Sequence, residues 1–235
     1  HTMIAVHEPL GRDEEGVRFN DDAVSMGLQA ATHWDALAHV SYAGRMWNGT
    51  APSAVDATGA HRLGVDRVGP LVSRGVLLDV ARARGVERLA AGLPLTPDDM
   101  DAAESLAGVT VDAGDVVLIR TGQMQLLHAG DKLAYSISTA GPSMQTVTWF
   151  RDRDVAAVAT DNLSFEVFPG ELDGLMLPVH MLHIVEMGLV QGQNFDLEAL
   201  SADCADDGRY EFLLSATPEP VTAACGGPVV PVAIK

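Results

Sequence analysis

The chain has 235 residues, of which 47% are hydrophobic, and a formal net charge of −17 from 32 acidic and 15 basic residues. This length is typical of one α/β domain, and so large an apolar fraction excludes a chain that is disordered by composition. A strongly negative field without a run of Lys or Arg repels nucleic acid and anionic lipid, so we expect neither as a partner.

Cysteine content and hydropathy indicate the compartment. Cys204 and Cys225 are too few for a disulfide framework, and the acidic neighbours of Cys204 favour a buried structural thiol. No stretch approaches the ~20 apolar residues of a membrane span, and no signal peptide is visible. We therefore expect one cytoplasmic domain over residues 1–235. The chain opens at His1 without an initiator Met, which leaves room for a natural segment ahead of it.

Local patterns predict alternating strands and helices after an irregular start. Residues 1–30 are predicted to be irregular, with a solvated loop over 11–16, and 27–40 to be an extended segment that leads into a tight polar site. In chain order, the later elements are a strand at 75–80, a helix from Thr96 to about Ala107, a strand at 114–122, a helix from Ser143 to Trp149, a strand at 155–161, helices that open at Pro178 and Asp196, and closing strands at 210–214 and 229–234. This order predicts an α/β domain, although it is too irregular for a simple βαβ series.

The segment around His33 carries the pattern that points to chemistry. Residues two apart in an extended chain point to the same side, so His33 and Asp35 face together and Trp34 faces away. An imidazole beside a carboxylate suits Zn²⁺ or Mn²⁺. His39 lies four residues beyond Asp35, and a helical turn there would return it to the same site. A chance His–Asp hydrogen bond at the surface is the alternative at this point.

The same segment resembles the cyclase family, which includes bacterial kynurenine formamidases and isatin hydrolases. That family carries His-x-Gly-Thr-His-x-Asp-x-Pro-x-His, which the chain matches at Thr32, His33, Asp35 and His39 and leaves at Gln29, Ala31 and Leu37. Residues 114–122, 156–162 and 178–200 are similar to later segments of the family, so the resemblance covers nearly the whole chain.

The resemblance implies a fold, an activity and a ligand set. The fold is a swivelling β/β/α domain, assembled as a homodimer or homotetramer. The activity is hydrolysis of a C–N bond in an amide, formamide or lactam. One divalent ion, Mn²⁺ or Zn²⁺, is implied, because Gln29 and Gln193 are neutral amides where the formamidases carry His and Glu. The implied metal ligands are His33, Asp35, His180 and Gln193, and the implied catalytic residue is His39.

Several assignments stay open at this stage. His180 and His183 share one helix face, so the sequence does not decide which of them binds the metal. Gln29 either orients His33 or touches the metal, and Trp34 is expected beside the substrate. Asp161 and Glu166 follow a predicted strand and could face the pocket, with a capping role as the alternative for Asp161, whereas His61 and His128 are predicted to be surface residues.

Two other functions are compatible with these residues. One is a metal-dependent cyclase or dehydratase of a polyketide-like substrate, in which His39 enolises a carbonyl. The other is a metal- or ligand-binding protein without activity, which the lost family positions allow. The retained His39 argues against it, because a pure binding site has no need for that residue.

Overall fold

The computed structural model describes residues 1–12 and 16–235, so part of the loop predicted over 11–16 lies outside the described residues. The strands are β1 (Thr2–Pro9), β2 (Arg18–Ala23), β3 (His33–Asp35), β4 (Val55–Asp56), β5 (Gly59–Ala60), β6 (Val72–Asp79), β7 (Pro94–Leu95), β8 (Val116–Arg120), β9 (Gly141–Pro142), β10 (Ala157–Thr160), β11 (Val190–Gln193), β12 (Glu211–Ser215), β13 (Gly226–Pro228) and β14 (Val232–Ile234). The α-helices are α1 (Val80–Ala83), α2 (Pro97–Ala107), α3 (Met124–His128), α4 (Lys132–Ile137), α5 (Thr146–Asp152), α6 (Pro178–His180) and α7 (Glu198–Asp207). A π-helix, Met181–Met187, continues α6, and 3₁₀ turns cover Trp47–Gly49, Pro52–Ala54 and Val65–Arg67.

An eight-stranded sheet organises the fold, in the order β13-β3-β11-β10-β8-β6-β12-β14. Its four central strands, β6, β8, β10 and β11, run parallel, and the flanking strands pair antiparallel. Helices connect the parallel strands, as such crossovers require. The expected α/β fold class is confirmed. Among the described residues, no helix is both long enough and apolar enough to cross a bilayer.

The sheet is curled so that its two ends lie close together. Only residues 229–231 separate β13 from β14, which are the first and last strands of the sheet. That link spans at most about 14 Å, whereas the ends of a flat eight-stranded sheet would be about 34 Å apart. The indole of Trp34 on β3 donates to the carbonyl of Ala216, just after β12, at 2.7 Å. This bond joins the two ends across the curl.

Two apolar layers cover the faces of the sheet. Leu77 and Leu118 pack in a layer with Trp34 and residues of α7, and Leu78 and Ile119 pack in the opposite layer with residues of α2 and α5. The central strand β8 is buried along its whole length, as expected for a parallel strand covered on both faces. Since Trp34 belongs to the α7 layer, His33 and Asp35 point into the opposite layer.

Local signals account for most of the confirmed elements. Helix α2 begins as predicted: Asp99 accepts from both the backbone N–H and the hydroxyl of Thr96, and the helix ends at Gly108 with φ of +65°. Ser143 stands three residues ahead of α5, not at its first turn, and accepts from Thr146 through its carbonyl oxygen. The predicted strands between residues 75 and 214 are confirmed, with ends that shift by a few residues.

Two predictions about the chain ends were wrong. Residues 1–30 are not irregular throughout, because β1 and β2 pair antiparallel as a separate hairpin. Both faces of the hairpin are largely exposed, and its strands lack the alternation of apolar and polar residues that predicts a half-buried strand. Residues 229–234 do not form one closing strand. Pro231 has no N–H to donate to a ladder, and the chain there crosses from one end of the sheet to the other.

A buried ion network anchors the end of β8 to α7. Arg120 donates to Asp79 at 2.9 Å and to both carboxylate oxygens of Glu198 at 2.8 and 2.9 Å. Asp79 is fully buried and also accepts from the hydroxyl of Ser201. Burial lowers the pKa of Arg120, but these partners outweigh burial and the net pKa lies above the usual value. The guanidinium therefore stays charged within the fold.

We predict that Arg120→Met lowers the free energy of unfolding by about 3 kcal/mol, because it leaves the buried carboxylate of Asp79 without its main counter-charge. Arg45→Met is the matched control, since Arg45 pairs with Glu186 where both side chains are more than one third exposed. Its cost is expected to stay below about 1 kcal/mol. Chemical denaturation measures both, and equal costs would contradict a structural role for the network.

Candidate metal centre

Strand β3 fixes the direction of two site residues. It pairs with β11 on one side, where His33 lies opposite Gln193, and with β13 on the other. A Cβ at Gly226 of β13 would lie 2.7 Å from the Gln29 amide nitrogen, so a larger residue there would push the Gln29 side chain aside. Held from both sides, β3 presents His33 and Asp35 to the same face, as the sequence predicts.

Three histidines surround the carboxylate of Asp35. His33 Nε2 and His39 Nε2 lie 3.5 and 3.7 Å from Asp35 Oδ1, and His180 Nε2 lies 3.9 Å from Oδ2. His33, Asp35 and His180 are buried, whereas the side chain of His39 is 34% exposed. A turn in which the His39 amide donates to the carbonyl of Ala36 brings His39 back to the site. The structure therefore brings these four predicted site residues together.

Hydrogen bonds on the far side of two of these imidazoles set their tautomers. His33 Nδ1 lies 2.7 Å from the carbonyl oxygen of Ala31, and His180 Nδ1 lies 2.7 Å from Glu166 Oε1. Both acceptors require a proton on Nδ1, so in the neutral rings the Nε2 atoms carry lone pairs. Those lone pairs face the carboxylate of Asp35, whose buried Oδ1 has no hydrogen-bond donor. Acceptors that converge in this way repel one another unless a cation lies among them, and this donor set fits a divalent metal.

Gln193 completes the floor of the site. Its side-chain nitrogen donates to Asp35 Oδ2 at 2.8 Å and lies 3.4 Å from His180 Nε2, while its buried Oε1 has no partner. Among the described residues, no group of three or more His, Cys, Asp or Glu side chains is already arranged to hold a metal ion. An amide oxygen or a water is needed to close the shell, so the ligand role of Gln193 stays a prediction.

The two histidines that the sequence left open have different surroundings. His180 lines the cavity, whereas His183 is fully buried on the π-helix, edge-on to the rings of Phe150 and Phe165. Burial foremost, and then the charge of His180, lower the pKa of His183 to about 3. His183 is therefore a neutral core residue, and His180 is the candidate ligand.

A cavity of about 300 Å³ opens above the site. The site residues and Gln29 form its polar floor, and its walls are apolar side chains and hydroxyls: Leu163, Phe168, Met176, Leu177, Ser136, Thr139 and Ser164. Trp34 does not line the cavity, because strand alternation turns it into the opposite layer, where its ring packs edge-on against Phe195 at 5.1 Å. The expected place of Trp34 beside a substrate does not fit this burial.

The two acidic residues that follow β10, Asp161 and Glu166, make different contacts. Asp161 accepts from the backbone N–H groups of Thr121 and Gly122 and from the Thr121 hydroxyl, and burial foremost raises its pKa to about 6. It caps a turn and touches no site residue. Glu166 instead reaches His180, and sequence patterns offered no signal that would separate the two. His61 and His128 lie at the surface, paired with Asp56 and Asp196, as predicted.

The pKa values of Asp35 and His39 both lie below their usual values, for different reasons. Burial raises the pKa of Asp35, but the contact with His33 and the positive charge that the surrounding imidazoles carry when protonated outweigh it, so the net pKa lies below the usual value. Asp35 is therefore ionised. For His39, burial is the largest influence and lowers the pKa, although Asp35 opposes it. A neutral, accessible imidazole thus stands beside an ionised carboxylate.

Comparison with known proteins identifies the family of the chain. The family model described as "Putative cyclase" matches residues 2–167. The chain belongs to the cyclase family. A crystal structure of a novel cyclase is 33% identical to this cyclase-family chain, with a TM-score of 0.90 over 100% of this chain and 80% of that one. No curated protein matches the chain.

More distant solved structures share the fold. Isatin hydrolase A from Ralstonia solanacearum is 22% identical, with a TM-score of 0.69 over 100% of this chain and 81% of that one. A protein described as a potential metal-dependent hydrolase with cyclase activity is 16% identical, with a TM-score of 0.54 over 88% of this chain and 79% of that one. At these identities the likeness shows the fold alone.

We predict that His33→Ala and Asp35→Ala each strip the bound divalent metal, because each removes a large share of a small ligand set. His61→Ala is the control, since His61 lies at the surface and should leave the metal content unchanged. Elemental analysis of the purified proteins after dialysis measures the content. Full metal content in both site variants would exclude a metal centre at these residues.

Proposed function

We propose that this protein is a metal-dependent hydrolase of a C–N bond in an amide, formamide or lactam. The observation that carries the proposal is the convergence of two imidazole lone pairs, from His33 and His180, on the ionised carboxylate of Asp35 at the floor of an open cavity. The names of two neighbours in fold, an isatin hydrolase and a potential metal-dependent hydrolase, support the same chemistry.

The donor set supports one ion per chain. A second dication about 3.5–4 Å from the first needs further anionic or imidazole ligands. The positions that could supply them hold Gln29 and Gln193, whose amides are neutral and bind a dication more weakly. Two imidazoles, a carboxylate and an amide oxygen suit Mn²⁺ or Zn²⁺, and the oxygen content tilts the choice slightly toward Mn²⁺.

The residues around the site have different roles in the proposed hydrolysis. A bound divalent ion polarises a carbonyl and lowers the pKa of water. His39, neutral and exposed to the cavity, takes a proton from the water at Nε2 and passes it to the leaving nitrogen. The hydroxyl of that water ends on the carbonyl carbon and the C–N bond breaks. His33, Asp35 and His180 stay fixed during these steps because hydrogen bonds and strand pairing hold them.

The cavity favours a small neutral substrate. None of its described lining residues is Lys or Arg, so a substrate carboxylate that points away from the metal would find no cationic side chain on the cavity walls. Its walls are largely apolar, and a volume of about 300 Å³ is at the small end for ligand pockets. We therefore favour a lactam or a neutral N-formyl aromatic compound over a formylated amino acid.

A cyclase or dehydratase reaction is the second candidate. The family description and the name of one neighbour, a hydrolase with cyclase activity, favour it. It would use the same metal, with His39 removing a proton beside a carbonyl. Mass spectrometry of the product separates the two candidates, because hydrolysis of a lactam adds the mass of water, hydrolysis of a formamide releases formate and an amine, and dehydration removes the mass of water.

We predict that His39→Gln keeps the metal and the fold but lowers kcat by roughly 10²–10⁴-fold, the usual share of a general acid–base group. The substrate comes from a screen of isatin, small lactams and N-formyl aromatics against the metal-loaded protein. His128→Gln, a change at a surface histidine, serves as the control and should retain full activity. Unchanged turnover in His39→Gln would exclude this role for His39.

We also propose that the protein is a homodimer or a homotetramer. The β1–β2 hairpin forms a sheet of its own and exposes apolar side chains, with Ile4 67% and Val6 54% exposed. A second copy of the chain is the partner that would cover this surface, since exposed apolar patches of this kind mark protein interfaces.

We predict that Ile4→Asp combined with Val6→Asp shifts the protein toward the monomer, because the change places charge on one face of the hairpin. Val230→Asp, at another exposed apolar position, is the control and should leave the assembly unchanged. Light scattering at micromolar concentration gives the mass of each. A monomeric wild type would contradict the proposed assembly.

A further inference from the structure

We infer that Glu166 is a positioning residue that fixes the tautomer of His180 and thereby keeps its Nε2 available for a metal ion. The inference rests on the metal site of the proposed function and deepens it. Glu166 lies fourteen positions before His180 and, in the described part of the chain, contacts no other candidate ligand directly.

Glu166 holds both the ring and the backbone of its partner. Its Oε1 accepts from His180 Nδ1 at 2.7 Å and from the His180 backbone N–H at 2.8 Å. Its Oε2 accepts from the backbone N–H of Val179 at 2.8 Å. The carboxylate is 1% exposed, so these three donors take the place of water around it. One side chain therefore sets where α6 begins and which way the imidazole turns.

The loop that carries Glu166 is itself tightly held. Phe165 has a left-handed φ of +61° and a fully buried ring, a strained backbone that persists only where the surroundings enforce it. The hydroxyls of Thr139 and Ser164 donate to the Glu166 carbonyl at 3.1 and 2.8 Å. A Cβ at Gly141 would lie 2.5 Å from the carbonyl carbon of Glu166, so only glycine allows this approach. The fold thus positions Glu166 independently of His180.

The tautomer of His180 determines whether its Nε2 has a lone pair for a metal ion or carries the proton. With the proton on Nδ1, the Nε2 lone pair faces the site. With the proton on Nε2, the ring would donate toward Asp35 Oδ2, which lies 3.9 Å away, and would occupy the place of the ion. A carboxylate at Nδ1 selects the first state and strengthens Nε2 as a donor to a metal. Removing the charge of Glu166 removes that selection.

The test compares two buried carboxylates in one loop region. Glu166→Gln keeps the shape but takes away the charge and one acceptor, and we expect affinity for Zn²⁺ to fall about 10–100-fold. Asp161→Asn is the matched control, because Asp161 is also fully buried and accepts from backbone N–H groups but touches no site residue. Competition with a chromophoric chelator gives the affinities, and the melting temperature of each metal-free protein measures the cost to the fold.

The outcomes separate the inference from the proposed function. Wild-type affinity in Glu166→Gln, or an equal loss in Asp161→Asn, would overturn the inference while leaving the metal site intact. A wild type that binds neither Zn²⁺ nor Co²⁺ would overturn the metal site itself. We expect the visible spectrum of bound Co²⁺ to change in Glu166→Gln and not in Asp161→Asn. Should Glu166→Gln fail to fold, ¹⁵N NMR of histidine-labelled, metal-free wild type decides: a proton on His180 Nδ1 supports the inference, and one on Nε2 refutes it.

Discussion

The alternation of side chains along β3 is the constraint on which the rest of the structure depends. Three residues, paired on both sides, send one indole into the α7 layer and an imidazole and a carboxylate to the opposite face. Because the side-chain period of a strand is two, a slip of one residue would exchange these faces. Trp34 opposes such a slip, since its burial and its bond to Ala216 hold the register. The packing of Trp34 thereby fixes the direction in which His33 and Asp35 point.

The site combines this rigid strand with a helix that arrives from elsewhere in the chain. Neither β3 nor the segment of His180 supplies all the ligands of the candidate metal centre, and the pairing of β11 with β3 and the contact of Glu166 with His180 help to bring the two segments together. Two buried polar atoms without partners, Asp35 Oδ1 and Gln193 Oε1, lie at this junction. Unpartnered buried groups cost free energy, so their presence beside the cavity floor is consistent with a place for a ligand.

The sequence predicted those elements and site residues that depend on interactions between residues close together in the chain. The Thr96 start of α2 and the buried strands follow from capping and from runs of apolar residues, and His33, Asp35 and His39 follow from their spacing. The role of Glu166 was not predictable, because it depends on a contact across fourteen residues and on the close approach at Gly141. The choice between His180 and His183 was equally hidden, since it depends on which side of the π-helix meets the aromatic core. The hairpin β1–β2 escaped prediction because neither of its strands buries a face.

The link between β13 and β14 also bears on solubility. An exposed sheet edge is a template for pairing with other chains, and proteins protect such edges by keeping them short and placing proline there. Both outer strands of the curled sheet are three residues long, with Pro228 at the end of one and Pro231 just before the other. Uncontrolled edge-to-edge growth into fibrous aggregates is thereby disfavoured at both ends of the sheet. The strong negative charge of the chain adds a colloidal barrier to the same process.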